Sequence, residues 1–244
     1  MKSLTPEPPA AIALTACIFD VDGVLLASPH EQAWREALRG FANPIRFTTA
    51  LYQAHVAGKP RQAGAVAALE SLGVPDAAGK AGVYAARKQV VLEELVRAGG
   101  VRAFADALRF VDAVAVLGWP MAVASSSKNA NDMMRPLHLP SGRSLLDVFT
   151  VNVCGRDLAH GKPDPELFLL AAAELRVAAS HCLVIEDAPA GIEAAIAGHM
   201  TGLGVARLRD AASLRAAGAS LVVTSLDNVA LDALADGRLA GRAA

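Results

Sequence analysis

Two short apolar runs in this chain end abruptly in paired carboxylates. Residues 16–19 lead into Asp20-Val21-Asp22-Gly23, and residues 183–185 lead into Glu186-Asp187. A run of that length without polar alternation reads as a strand buried on both faces. Residues 121–124 and 202–205 are runs of the same kind, and 221–223 is a candidate fifth. Longer stretches with helical periodicity separate most of them. That order predicts an α/β fold with a parallel sheet wrapped by helices. Such a sheet binds ligands beyond the carboxyl ends of its strands, which is where the acids fall.

The stretch between Pro29 and Gly100 breaks this rhythm, offering helices without a strand. Ala33, Trp34, Ala37, Leu38 and Phe41 form one apolar face, and Ser28-Pro29-His30-Glu31 reads as a capping box with proline at the first helical position. Helices are predicted over 61–72, stopping at Gly73, and over 80–97, stopping at Gly99-Gly100. The expected organisation is a tail over 1–14, a core made of 15–28 and 102–244, and a helical insertion over 29–101. A hinge is expected where the chain crosses between them, near Leu26 and near Gly99, since Gly99-Gly100 rotates at low backbone cost.

Basic and acidic residues nearly balance, 23 against 24, with no basic run. This argues against nucleic acid or an acidic membrane surface as partner. No apolar stretch reaches the ~18 residues of a membrane span. The first residues, with Pro6, Pro8, Pro9 and one lysine, lack the plan of a signal peptide. Cys17, Cys154 and Cys182 lie far apart in apolar runs, as reduced thiols would. A cytoplasmic, monomeric protein is expected.

Four polar clusters stand at strand ends or in an adjacent loop. Asp20 and Asp22 share one side of an extended backbone, and like charges so close call for a cation or a proton; the plain alternative is a polar turn. Ser125-Ser126-Ser127-Lys128-Asn129 offers hydroxyls and N–H groups to an anion, or merely caps a helix with Ser127. In Gly161-Lys162-Pro163-Asp164-Pro165, Asp164 and Pro165 start a helix and leave Lys162 outside it, aimed at a ligand or at solvent. Glu186-Asp187 provides a second acidic pair, unless Asp187 simply caps the next helix. Together they combine carboxylates for a hard cation with hydroxyls and an ammonium for phosphate oxygens.

In this order the clusters resemble the haloacid dehalogenase superfamily over about 16–223. The resemblance implies a Rossmann-like parallel-sheet core with an inserted α-helical cap domain, Mg²⁺ as cofactor, and phosphoryl transfer through an aspartyl-phosphate. It implies Asp20 as nucleophile, Asp22 as general acid and base, and Ser125 and Lys162 as holders of the phosphoryl group. Asp20, the Asp22 carbonyl and Asp187, with Glu186 nearby, would bind the metal. The insertion resembles that of the β-phosphoglucomutase-like branch. Arg61, in Gly58-Lys59-Pro60-Arg61, would grip a distal phosphate. Lys88 would face a sugar, and His30 would couple closure to acid–base action. Ser126, Ser127, Lys128 and Asn129 would line the substrate site, Ser127 and Lys128 reaching the substrate. The expected reaction converts β-glucose 1-phosphate to glucose 6-phosphate through a bisphosphate; hydrolysis of a small sugar phosphate is the alternative. A silent binding domain would have lost these acids, which are all present.

Overall fold

In the computed structural model, which describes residues 13–208 and 210–242, the chain opens on β1 (Ala16–Phe19) and turns into β2 (Leu26–Ala27). Four helices follow: α1 (His30–Ala37), α2 (Thr49–His55), α3 (Arg61–Ser71) and α4 (Ala77–Arg97). β3 (Arg102–Ala103) then pairs antiparallel with β2, Leu26 opposite Ala103. From there helices and strands alternate: α5 (Ala105–Val116), β4 (Met121–Val123), α6 (Ala130–Met134), β5 (Val151–Asn152), α7 (Glu166–Leu175), β6 (Cys182–Glu186), α8 (Pro189–Ala197), β7 (Thr201–Val205), α9 (Ala211–Ala216), β8 (Leu221–Val223) and α10 (Leu231–Ala235). The main sheet runs β5-β4-β1-β6-β7-β8, and every pairing in it is parallel.

Both faces of this sheet are covered, which is why its strands lack alternation. Cys17 and Phe19 of β1 join Leu183, Ile185, Phe110 and Val111 on one side. Ala16 and Ile18 join Cys182, Val184 and Phe168 on the other. Phe19 meets Phe110 and Phe149 edge-on, with ring centroids 6.1 and 5.7 Å apart. The inserted helices bury an apolar cluster of their own, with Trp34, Leu38, Phe47, Leu69 and Tyr84 among its members. Tyr84 donates its hydroxyl proton to the Trp34 carbonyl at 2.8 Å, joining α4 to α1.

Several local expectations need correction. The capping box does not form. Pro29 occupies the N-cap of α1 and no side chain caps it. Glu31 turns aside instead, to pair with Arg35 and to accept from Thr49 Oγ1 at 2.8 Å. Leu38 and Phe41 lie past the end of that helix. Helix α4 starts three residues earlier than its periodicity suggests, because Asp76 accepts the Gly79 N–H. Helix α2, whose cap is Thr48, and the two-residue β5 lie outside the predicted elements. Among the described residues no helix is long and apolar enough to cross a membrane. All three cysteines are free thiols.

Candidate active site

Strands β4, β1 and β6 are neighbours, so their carboxyl ends bring three clusters to one edge of the sheet. Asp20 follows β1, Ser125 follows β4, and Asp187 follows Glu186 at the end of β6. The loop between β5 and α7 supplies the fourth. Lys162 Nζ donates to Asp20 Oδ1 at 2.6 Å and to Glu186 Oε1 at 2.5 Å, with the side chain fully enclosed. The other Glu186 oxygen accepts the N–H groups of Asp187 and Ala188, both at 2.9 Å. Glu186 is therefore committed on both sides, to the lysine and to the turn that carries Asp187. Asp187 caps nothing: the N-cap of α8 is Ala188, without a side-chain bond. Asp164 does act at the start of α7, accepting the Glu166 N–H at 2.9 Å.

Two glycines make this packing possible. At Gly23, φ is +89°, and a Cβ would fall 1.9 Å from Asp187 Oδ2. At Gly191 a Cβ would fall 1.9 Å from Glu186 Oε1. Each glycine lets backbone and carboxylate approach where no side chain fits.

Four carboxylates, those of Asp20, Asp22, Glu186 and Asp187, thus gather at one edge of the sheet, and the enclosed Lys162 ammonium pairs with two of them, Asp20 and Glu186. Burial pushes the Asp20 carboxyl up to about 7, against the pull of Lys162 and with help from Glu186 and Asp22. Burial, then Glu186 and Asp20, push Asp187 well above the carboxylate range. Burial would discharge Lys162, but Asp20 and Glu186 outweigh it and hold the ammonium above its ordinary value. The site carries an unmet demand for positive charge.

Above these acids lies a cavity of about 340 Å³, within the ~300–1,000 Å³ typical of small-molecule sites. Asp20, Asp22, Asp187 and residues 125–129 form its core wall, and His30, Arg61 and Lys88 line the wall from the helical insertion. Lys162 and Glu186 lie beneath it, 2% and 1% exposed. Lys88 Nζ donates to His30 Nδ1 at 2.8 Å and stands 5.1 Å over the Trp34 ring. With Nδ1 accepting, the ring proton falls on Nε2, which faces Asp22 Oδ1 at 3.4 Å. Burial lowers His30 to about 4 and Lys88 to about 7, and the Asp22 charge opposes both shifts.

The two walls also touch. Ser126 Oγ donates to the Gly58 carbonyl at 3.4 Å, and Gln89 Nε2 donates to Asn129 Oδ1 at 2.9 Å. Gln89 in turn accepts from Arg61 Nη1 at 2.6 Å. Ser125 Oγ accepts the Ser127 N–H at 3.1 Å, and Ser127 Oγ the Asn129 N–H at 3.3 Å. Lys128 points its ammonium at Asp157 Oδ1, 2.6 Å away, where both are exposed. Tyr52, Gln89 and Trp34 also line the cavity, outside the residues the sequence points to. Tyr52 and Gln89 carry no motif, and Trp34 reads as core from its periodicity alone.

The family model for haloacid dehalogenase-like hydrolases matches residues 14–199. The chain belongs to the haloacid dehalogenase-like hydrolase family. A β-phosphoglucomutase from Mycobacterium bovis is 35% identical over 237 residues, which span 86% of this chain and 89% of that protein. A phosphorylated carbohydrates phosphatase from Thermotoga maritima is 32% identical over 75% of this chain and 80% of its own length. Among solved structures, an archaeal β-phosphoglucomutase from a Pyrococcus species superposes with a TM-score of 0.71 at 29% identity, over 90% of this chain and 96% of that one. This haloacid dehalogenase-like hydrolase is an enzyme of the phosphotransferase and phosphatase class.

Proposed function

We propose that this enzyme is a β-phosphoglucomutase, carrying phosphoryl groups between the two ends of a hexose through an aspartyl-phosphate on Asp20. The observation that carries the reading is a second cationic pole in the same cavity. Arg61 and Lys88 line the wall opposite the acids, beside His30. A phosphatase for a monophosphate needs one anion site, whereas a bisphosphate intermediate needs two.

In this reading Asp20 attacks phosphorus, and the bond from phosphorus to the leaving oxygen breaks with its electron pair going to that oxygen. Asp22 donates the proton that oxygen requires, and later removes the proton of the sugar hydroxyl that takes the phosphoryl group back. Lys162 neutralises the oxygens in transit and fixes Asp20 at 2.6 Å. Ser125, Ser126 and Ser127 offer hydroxyl and N–H donors to the same oxygens. Arg61 grips whichever phosphate is not reacting, its planar fork matching two oxygens at once. His30 faces Asp22 from the insertion, so closing the cavity also places the general acid. The insertion acts as a cap over the core, and its closure excludes the water that would otherwise accept the phosphoryl group.

The unmet demand for positive charge and the all-oxygen donor set suit Mg²⁺. Asp20, Asp187 and the Asp22 carbonyl would hold it, with Glu186 orienting Asp187 from behind. When bound, the ion supplies charge neutralisation at the phosphoryl oxygens. Hydrolysis of a sugar phosphate is the second reading, favoured by the similarity to the Thermotoga maritima phosphatase.

Phosphorus NMR of purified enzyme with β-glucose 1-phosphate, Mg²⁺ and a trace of glucose 1,6-bisphosphate tests the choice. Glucose 6-phosphate without inorganic phosphate is expected. Inorganic phosphate without the isomer would replace the mutase by a phosphatase.

A further inference from the structure

Arg207 stands just past the end of β7, outside every motif the sequence displays, and it gathers three parts of the molecule. Its Nη1 donates to Asp106 Oδ2 on α5 at 2.7 Å. Its Nε and Nη2 donate to the carbonyls of Gly23 and Val24, at 3.4 and 3.3 Å. Its guanidinium lies 4.0 Å over the ring of Phe104, the residue that follows β3. The side chain is nearly enclosed, 12% exposed. Gly23 and Val24 belong to the turn that presents Asp20 and Asp22, while Phe104 belongs to the second crossing into the insertion. The same two pieces are joined directly: the Phe104 N–H donates to the Leu25 carbonyl at 3.0 Å.

We infer that Arg207 is a positioning residue, a clamp that fastens the turn bearing the nucleophile and the general acid to the hinge crossing after β3. A planar fork is needed because the three acceptors lie on different sides of one cation while an aromatic ring covers its face. Asp106 holds that cation in place, and it is itself held by Ser225 Oγ at 2.9 Å and the Leu226 N–H at 2.8 Å. Movement of the crossing therefore reaches the Asp22 turn through the Arg207 side chain, alongside the Phe104 N–H bond and the β2–β3 pairing. This rests on the phosphoryl-transfer reading for its effect on rate, but not for its effect on the turn.

Arg207→Lys tests it, since the lysine keeps a charge for Asp106 and gives up the fork. Hydrogen exchange is followed by mass spectrometry beside steady-state kinetics with β-glucose 1-phosphate and with p-nitrophenyl phosphate. Amides at Leu25, Leu26 and Phe104, all hydrogen-bonded in the parent, should exchange about tenfold faster, while those of β1 and β6 stay unchanged. The kcat should fall about tenfold with KM within about twofold. Unchanged exchange at those three amides, a uniform rise across the sheet, or an unaltered kcat would each overturn the clamp. Parent enzyme that cleaves p-nitrophenyl phosphate but does not isomerise the sugar would sink the mutase reading alone. The exchange readout needs no substrate.

Discussion

At the scale of single residues, the centre works by withholding solvent from charge. Lys162 meets two carboxylates at 2.5–2.6 Å, those of Asp20 and Glu186, and makes no ion pair with Asp22 or Asp187. Lys88 shows the cost of such placement. It is 3% exposed, and burial lowers its pKa from 10.5 to about 7. Between those values the unfolded chain binds a proton that the folded chain does not, so stability falls as pH drops through that window and the full penalty is present below it. Lys88→Met should therefore raise Tm by roughly 2–5 °C at pH 6, with a smaller gain near pH 10, while turnover falls at least about tenfold at either pH. Thermal melts at the two pH values check the first half and initial rates the second. A Tm that does not rise at pH 6 would show that the ammonium is not strained by its surroundings.

Among elements, the core strands were readable in the sequence for a physical reason. Burial on both faces strips a strand of polar residues, and β1 and β8 match their apolar runs residue for residue. A two-residue strand such as β5 carries no such pattern; its place is fixed by pairing with Ala122 and Val123. The start of α1 misled because a capping box is a local signal, and Glu31 found better partners in Arg35 and Thr49. Of the motif residues, Asp20, Asp22, Ser125, Glu186 and Asp187 are legible because they sit at or just past strand ends, and Lys162 because the helix start at Asp164-Pro165 leaves it in a loop. Arg207 is not, since its partners come from residues 23–24, 104 and 106, remote in sequence. Its partner Asp106 yields a prediction for α5. Burial would raise this carboxyl, yet the Arg207 hydrogen bond and the Leu226 N–H hold it below its usual range. The stability it contributes is present above the ordinary carboxylate pKa and lost as pH falls through the depressed one. Asp106→Asn should lower Tm by roughly 2–6 °C at pH 7, and the gap to the parent should narrow as the melt is repeated down to about pH 3. A gap that persists unchanged there would mean the carboxylate charge contributes nothing.

At the scale of the whole molecule, the proposed function depends on the inserted helices and the sheet meeting over one cavity. The β2–β3 ribbon carries both crossings, and polar contacts across the cavity, from Ser126 to Gly58 and from Gln89 to Asn129, are few and partly exposed. Such an interface can open for substrate and close for transfer. The acids on one wall and the cations on the other then act on a single bound molecule, provided that Asp20 receives the phosphoryl group. That step is open to direct capture. Enzyme mixed with glucose 1,6-bisphosphate and Mg²⁺ is quenched within milliseconds, reduced with borohydride and mapped by peptide mass spectrometry. The account predicts conversion of Asp20 to homoserine, the product of a reduced acyl phosphate, and its absence from Asp22, Glu186 and Asp187. An unmodified Asp20 beside a reduced carboxyl elsewhere, or no reduced carboxyl while substrate turns over, would contradict it.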